Sequence, residues 1–142
     1  MRFWDSSAIV PLIVSEIATP RVLPFAAEPE PMYVWWSTRL EIAAALARRE
    51  RTDAGRDADK WSRCFAVLHD MTEDWREIAP SDPVRRMAER LVRRHDFRAA
   101  DSLHLGAALI ACDDSPAGHE FACFDARLRR AAAAEGFRLL PP

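Results

Sequence analysis

The chain has 142 residues, the size of one ordinary domain, with room for a single good core and one site. It is 49% hydrophobic and 30% charged, and its formal net charge of -2 excludes the global basic field that would announce a nucleic-acid partner. Cys64, Cys112 and Cys123 are odd in number, widely spaced and set among apolar residues, which argues against a disulfide scaffold or zinc site and for reduced thiols in the cytoplasm.

Arg2 to Trp4 reads as a short strand ending at Asp5, followed by Ser6 and Ser7 and by Ala8 to Val14 as the first turns of a helix. Only a brief apolar run follows Asp5, so neither a signal peptide nor a membrane span is expected. Thr19 reads as an N-cap with Pro20 at the first helical position, and Pro24 keeps that helix short. Residues 28–31, Glu-Pro-Glu-Pro, form a loop.

Met32 to Trp36 is a run of bulky strand formers, and at Ser37 and Thr38 the pattern switches to a strongly helical segment through Arg48. Thr52 to Glu73 is expected as a further helix, with Trp61, Phe65, Leu68 and Met71 as a stripe facing the core or a partner. Trp75 to Ala79 predicts a third strand, and residues 80–83 cap an arginine-rich helix from Val84 to His95. Arg98 to Ala111 is almost wholly apolar on every side from Ser102 onward and, read as a helix, belongs in the middle of a core, with Asp101 at its mouth. Glu120 to Phe124 is a strand ending at Asp125, Ala126 to Glu135 a helix closed by Gly136, and Phe137 to Leu140 a last strand. Strands alternating with helices in this way predict an α/β fold, a three-layer sandwich with a mainly parallel central sheet flanked by helices, over residues 1–142 as one domain.

Lys60 is the lone lysine, so local basic patches must be built from arginine. Three clusters qualify: Arg85 to Arg98; Arg48, Arg49, Arg51 and Arg56; and Arg127, Arg129 and Arg130. Guanidinium forks suit phosphates, yet such runs are more often solvated helix faces with acidic neighbours.

Four acids sit at strand ends or helix starts. Ligands of an open parallel sheet lie beyond the carboxyl ends of its strands, where Asp5 and Asp125 fall, and Glu41 and Asp101 can face the same edge. Each acid also has a structural explanation. Thr38 to Glu41 has the capping-box spacing, and Asp5, Asp101 and Asp125 each suit a helix start. If they gather, two carboxylates about 4 Å apart repel by about 4 kcal/mol at an effective dielectric of about 20, so several of them must take up protons or bind a cation. An all-oxygen set selects Mg2+ or Mn2+, which generates a hydroxide nucleophile and neutralises charge on a phosphoryl oxygen.

The order of these segments carries a resemblance. Residues 3–8 (Phe-Trp-Asp-Ser-Ser-Ala), 38–46 (Thr-Arg-Leu-Glu-Ile-Ala-Ala-Ala-Leu), 100–105 (Ala-Asp-Ser-Leu-His-Leu) and 121–128 (Phe-Ala-Cys-Phe-Asp-Ala-Arg-Leu), with Gly136 and Phe137 behind them, resemble the PIN-domain nucleases, and among those the VapC-type toxins of bacterial toxin-antitoxin pairs. The resemblance implies a Mg2+- or Mn2+-dependent endoribonuclease, commonly a homodimer, inhibited by a cognate VapB-like antitoxin. It places the metal-binding and catalytic acids at Asp5, Glu41, Asp101 and Asp125, with Ser7 as a supporting hydroxyl. Cys123 departs from it, standing where many members have Thr or Ser, and a thiol is a weaker donor. His104 follows Asp101 by three residues and is read as a core histidine bonded to backbone rather than as a general base. Arg98 either contacts an RNA phosphate or pairs with an acid. Two other readings keep the same fold: a non-catalytic protein-binding module, and a nuclease acting on DNA.

Overall fold

The computed structural model describes residues 1–55 and 57–142. Arg56, grouped above with Arg48, Arg49 and Arg51, lies outside the described residues. In chain order the elements are β1 (Arg2–Trp4), α1 (Ser6–Ile13), α2 (Thr19–Ala26), β2 (Met32–Trp35), α3 (Thr38–Thr52), α4 (Ala58–Thr72), β3 (Arg76–Ile78), α5 (Asp82–Val92), α6 (Ala99–Ala111), β4 (Glu120–Ala122), α7 (Ala126–Glu135) and β5 (Arg138–Leu140).

The strands pair in the order β3-β2-β1-β4-β5, every pairing parallel, with Trp4 opposite both Val34 and Ala122. Successive strand residues point to opposite faces, and this period of two divides the core into two layers. Phe3 and Phe121 face α5, α6 and α7, where the Phe3 and Phe121 rings stack 5.4 Å apart and Phe137 tilts against Phe121. Trp4, Val34 and Ala122 face α1 to α4 and meet Ile9, Ile42, Leu46, Trp61 and Leu68. The Trp61 stripe is therefore core-facing.

α6 is buried along most of its length, as its all-round apolar pattern requires. Gly106 allows its backbone to cross α5 closely, since a Cβ there would lie 3.2 Å from the Ala88 nitrogen and 3.3 Å from the Val84 carbonyl oxygen. α7 begins on Asp125 and ends on Gly136 at φ 110°, a left-handed cap that glycine adopts without strain.

Three local expectations are corrected. The helix expected from Thr52 to Glu73 starts at Ala58, because Asp53 turns the chain out of α3. Its carboxylate accepts from the Gly55 N–H and from Trp61 Nε1–H, and Asp57 then caps α4 through the Lys60 N–H. Thr19 is not an N-cap: its hydroxyl donates to the Pro11 carbonyl and accepts from the Glu16 N–H, tying the connection back onto α1. β4 ends at Ala122 rather than Phe124: the Cys123 N–H still donates to the Leu140 carbonyl, but the following N–H groups turn to side chains, Phe124 donating to Ser7 Oγ and Asp125 to Cys123 Sγ.

Candidate metal centre

β1 is the central strand, so Asp5 emerges at the middle of the carboxyl edge of the sheet. Its backbone is extended and its side chain caps α1, Oδ2 accepting from the Ser7 N–H at 2.9 Å and from the Ser7 hydroxyl. The Cys123 thiol faces the same oxygen at 3.7 Å. Burial and the nearby Asp5 charge push the Cys123 thiol up, so it stays protonated and acts as a donor. Oδ2 is thus fully engaged, while Oδ1 is turned toward His104, 3.4 Å from Nδ1.

Glu41 approaches from the first turn of α3. The capping-box explanation does not hold for it: its Oε1 accepts from Ser37 Oγ at 2.6 Å and lies 2.7 Å from His104 Nε2, and its Oε2 accepts from Ser6 Oγ at 2.9 Å. Burial alone would raise its pKa, but the hydrogen bond and charge of His104 and the two serine hydroxyls hold it down at about 2. Glu41 also lines a cleft of about 460 Å³ between α1 and α3, with Ser6, Ser7, Arg48 and Arg49 on its walls.

His104, only 3% exposed, differs from its sequence reading. It is bonded to a carboxylate 63 residues away and not to backbone. Burial by itself would lower its pKa, yet the hydrogen bond to Glu41 and the charges of Asp5, Glu41 and Asp101 raise it above the ordinary value. Its Nδ1 is buried and has no hydrogen-bond partner among the described residues. Asp5, Glu41 and His104 each offer a ligand atom within 4.8 Å of the other two. The spacing of His104 from Asp101, one helical turn, was the available signal for it.

The other two acids are placed less tightly. Asp101 lies in the first turn of α6, accepts from the Arg98 N–H at 3.3 Å, and is near enough for its charge to act on His104. Asp125 caps α7 through Oδ1, accepting from the Arg127 and Leu128 N–H groups at 2.9 Å. Arg98 is exposed and forms no ion pair among the described residues. The helix-start explanations of Asp5, Asp101 and Asp125 are therefore correct as far as they go. They account for one oxygen of Asp5 and leave the other facing His104.

Two acid oxygens and an imidazole nitrogen at this spacing suit a six-coordinate divalent cation with water in the remaining positions. The orphaned Nδ1 and the unengaged Asp5 Oδ1 are the groups such an ion would satisfy.

A parallel sheet in this strand order, helices on both faces and an acidic cluster at the carboxyl edge make a PIN-like α/β fold, of the kind found in the VapC and FitB toxins. No protein-family model matches the chain, and no curated protein matches it. Solved structures do. VapC20 from Mycobacterium tuberculosis, described as a sarcin-ricin loop cleaving toxin, aligns over 99% of this chain and 100% of its own, with a TM-score of 0.67 at 16% identity. FitAcB from Neisseria gonorrhoeae aligns over 100% and 98%, with a TM-score of 0.66 at 15% identity. FitAB bound to an IR36 DNA fragment gives 99% and 94%, with a TM-score of 0.64 at 14% identity. At such identities the likeness establishes the fold alone.

Proposed function

We propose that residues 1–142 form one PIN-like domain that hydrolyses RNA phosphodiester bonds with Mg2+ or Mn2+, as the toxin of a toxin-antitoxin pair. The convergence of Asp5, Glu41 and His104 at the carboxyl edge carries this reading. Asp5 and Glu41 would hold the ion with His104 Nδ1 beside them, Asp101 would reach it directly or through water, and Asp125 would complete the acidic set. When bound, the ion supplies a water of lowered pKa and neutralises charge on the phosphoryl group.

The chain's own residues prepare that centre. Ser7 and Cys123 fix Asp5 by one oxygen and so aim the other. Ser37, His104 and Ser6 lock the Glu41 carboxylate at a single rotation and keep it ionised. Outer partners of this kind orient ligands that would otherwise swing.

A VapB-like antitoxin, homodimer formation and a cytoplasmic setting belong to the same reading. Supporting a protein partner are apolar side chains left in solvent, Ile17 at 98%, Leu40 at 68% and Trp36 at 53% exposure. Among the described residues no helix is long and apolar enough to cross a membrane.

The test is incubation of the antitoxin-free chain with total RNA and Mn2+, followed by mapping of new RNA ends. Discrete cuts that disappear with a chelator and with Asp101→Asn support the reading. Metal-dependent cleavage of single-stranded DNA with no cleavage of RNA overturns it in favour of a DNA nuclease.

A further inference from the structure

Segment 94–97 and α7 enclose a groove of about 250 Å³ lined by Arg94, His95, Asp96, Phe97, Arg127 and Arg130. Its direction follows from the topology. α7 leaves β4 at the carboxyl edge and enters β5 at the amino edge, so over its ten residues, about 15 Å, it runs away from the acidic centre. Arg127 is two residues past Asp125, at the near end. Glu135 is at the far end, where its buried carboxylate holds His95 Nε2 at 2.7 Å and Arg94 at 3.3 Å. Segment 94–97 thus lies along α7 and leads directly into the start of α6, where Asp101 stands.

The charges along this groove are unevenly matched. At the far end the arginines are spoken for: Arg90 makes two 3.0 Å bonds to Asp114, and Arg94 pairs with Glu135. At the near end Arg127 and Arg130 are exposed and form no ion pair among the described residues. Among the described residues Asp96 is the one acid on the groove wall, facing three guanidinium groups of which Arg94 is already paired. Two rings are among its lining, His95 and Phe97, 5.3 Å apart. Unmatched guanidinium beside aromatic surface is the chemistry that tracks a single-stranded polynucleotide.

We infer that this groove anchors the backbone phosphates of a single-stranded polynucleotide where it passes the acidic centre, with Arg127 and Arg130 as the phosphate contacts. The inference rests on the nuclease reading. It adds a direction to it: the strand leaves the crevice along α7 rather than over β3. Arg98, at the crevice end of segment 94–97, is the next contact along the same line.

Fluorescence anisotropy of a labelled single-stranded RNA 12-mer, with the full chain in chelator, separates binding from cleavage. Arg127→Glu/Arg130→Glu is expected to weaken binding at least tenfold and to reduce the salt-dependence slope by about 1.4, as for two lost phosphate contacts. Arg127→Lys/Arg130→Lys retains most of the affinity, and Arg63→Glu, a single charge reversal on α4, leaves it unaltered. A DNA 12-mer of the same sequence loses the same factor, because phosphates are read. Unchanged RNA binding in the Glu variant, or a loss confined to one sugar, overturns the groove assignment while leaving the nuclease reading intact. No binding of either 12-mer by the wild-type chain overturns the polynucleotide reading itself.

Discussion

Buried charge occurs at both ends of this sheet, and it is balanced differently at each. At the amino edge Arg2, 3% exposed, donates from Nε to Glu120 at 2.6 Å and from Nη2 to Glu28 at 2.8 Å, and Arg138 takes the other Glu120 oxygen. At the carboxyl edge, among the described residues, Asp5 and Glu41 have His104 as their one ion-pair partner. A guanidinium keeps its charge at every pH the fold meets, so the amino edge is complete without help. An imidazole can give up its charge, and one of its nitrogens here has no hydrogen-bond partner among the described residues. The first cluster is a clasp across β1, β4 and the segment before β2; the second leaves room for an exchangeable cation.

Removing a partner from the clasp should have the largest effect on the fold. Glu120→Ala leaves the buried Arg2 guanidinium without its main counter-charge and is expected to cost about 3 kcal/mol in urea unfolding. The corresponding change at the other edge acts on the metal instead. Ser37→Ala removes one of the two partners of Glu41 Oε1, leaving His104, and should weaken Mn2+ binding by about 10- to 100-fold, with unfolding changed by no more than about 1 kcal/mol. An equal loss of stability at both sites would erase the distinction drawn between them.

Acidity offers a finer test. His104 has a pKa raised above 6.5, so its contribution to the metal-free fold is full below 6.5 and lost as pH rises through the higher folded value. Glu41 is held at about 2 against an ordinary 4.5, so its contribution is full above 4.5 and lost as pH falls through about 2. Together they stabilise most between about pH 4.5 and 6.5. Urea midpoints in chelator should therefore differ most between wild type and His104→Gln at about pH 5.5, with the gap narrowing by pH 9. The smallest effect is expected from Cys123→Ser, which keeps a donor facing Asp5 and should alter Mn2+ affinity less than Ser37→Ala does.

What could be read from the sequence was what local chemistry decides. α7 was bounded correctly because an aspartate cap and a left-handed glycine mark its two ends. β1, and with it Asp5, followed from a strand run meeting a helix start. The break between α3 and α4 was expected after Arg48 but falls between Thr52 and Ala58, because arginine and glutamate extend the first helix and the Asp53 carboxylate then captures a tryptophan eight residues on. His104 was misjudged for a related reason. Its partner is brought to it by the sheet, which holds α3 on one face and α6 on the other with Glu41 and His104 meeting at its carboxyl edge, and no local pattern encodes that. Four acids at element boundaries suggested a meeting point, but only the folded chain could show that Asp5 and Glu41 meet with a histidine between them.

The most direct test of the central claim is calorimetric titration of the antitoxin-free chain with Mn2+, comparing wild type with Asp5→Ala and Asp101→Asn, each first shown to be folded. Saturable binding by wild type, lost in both variants, is the predicted result. No binding, or binding indifferent to both changes, would contradict the account. It would return these acids to the starting of helices and make a non-catalytic protein-binding module the better description of the chain.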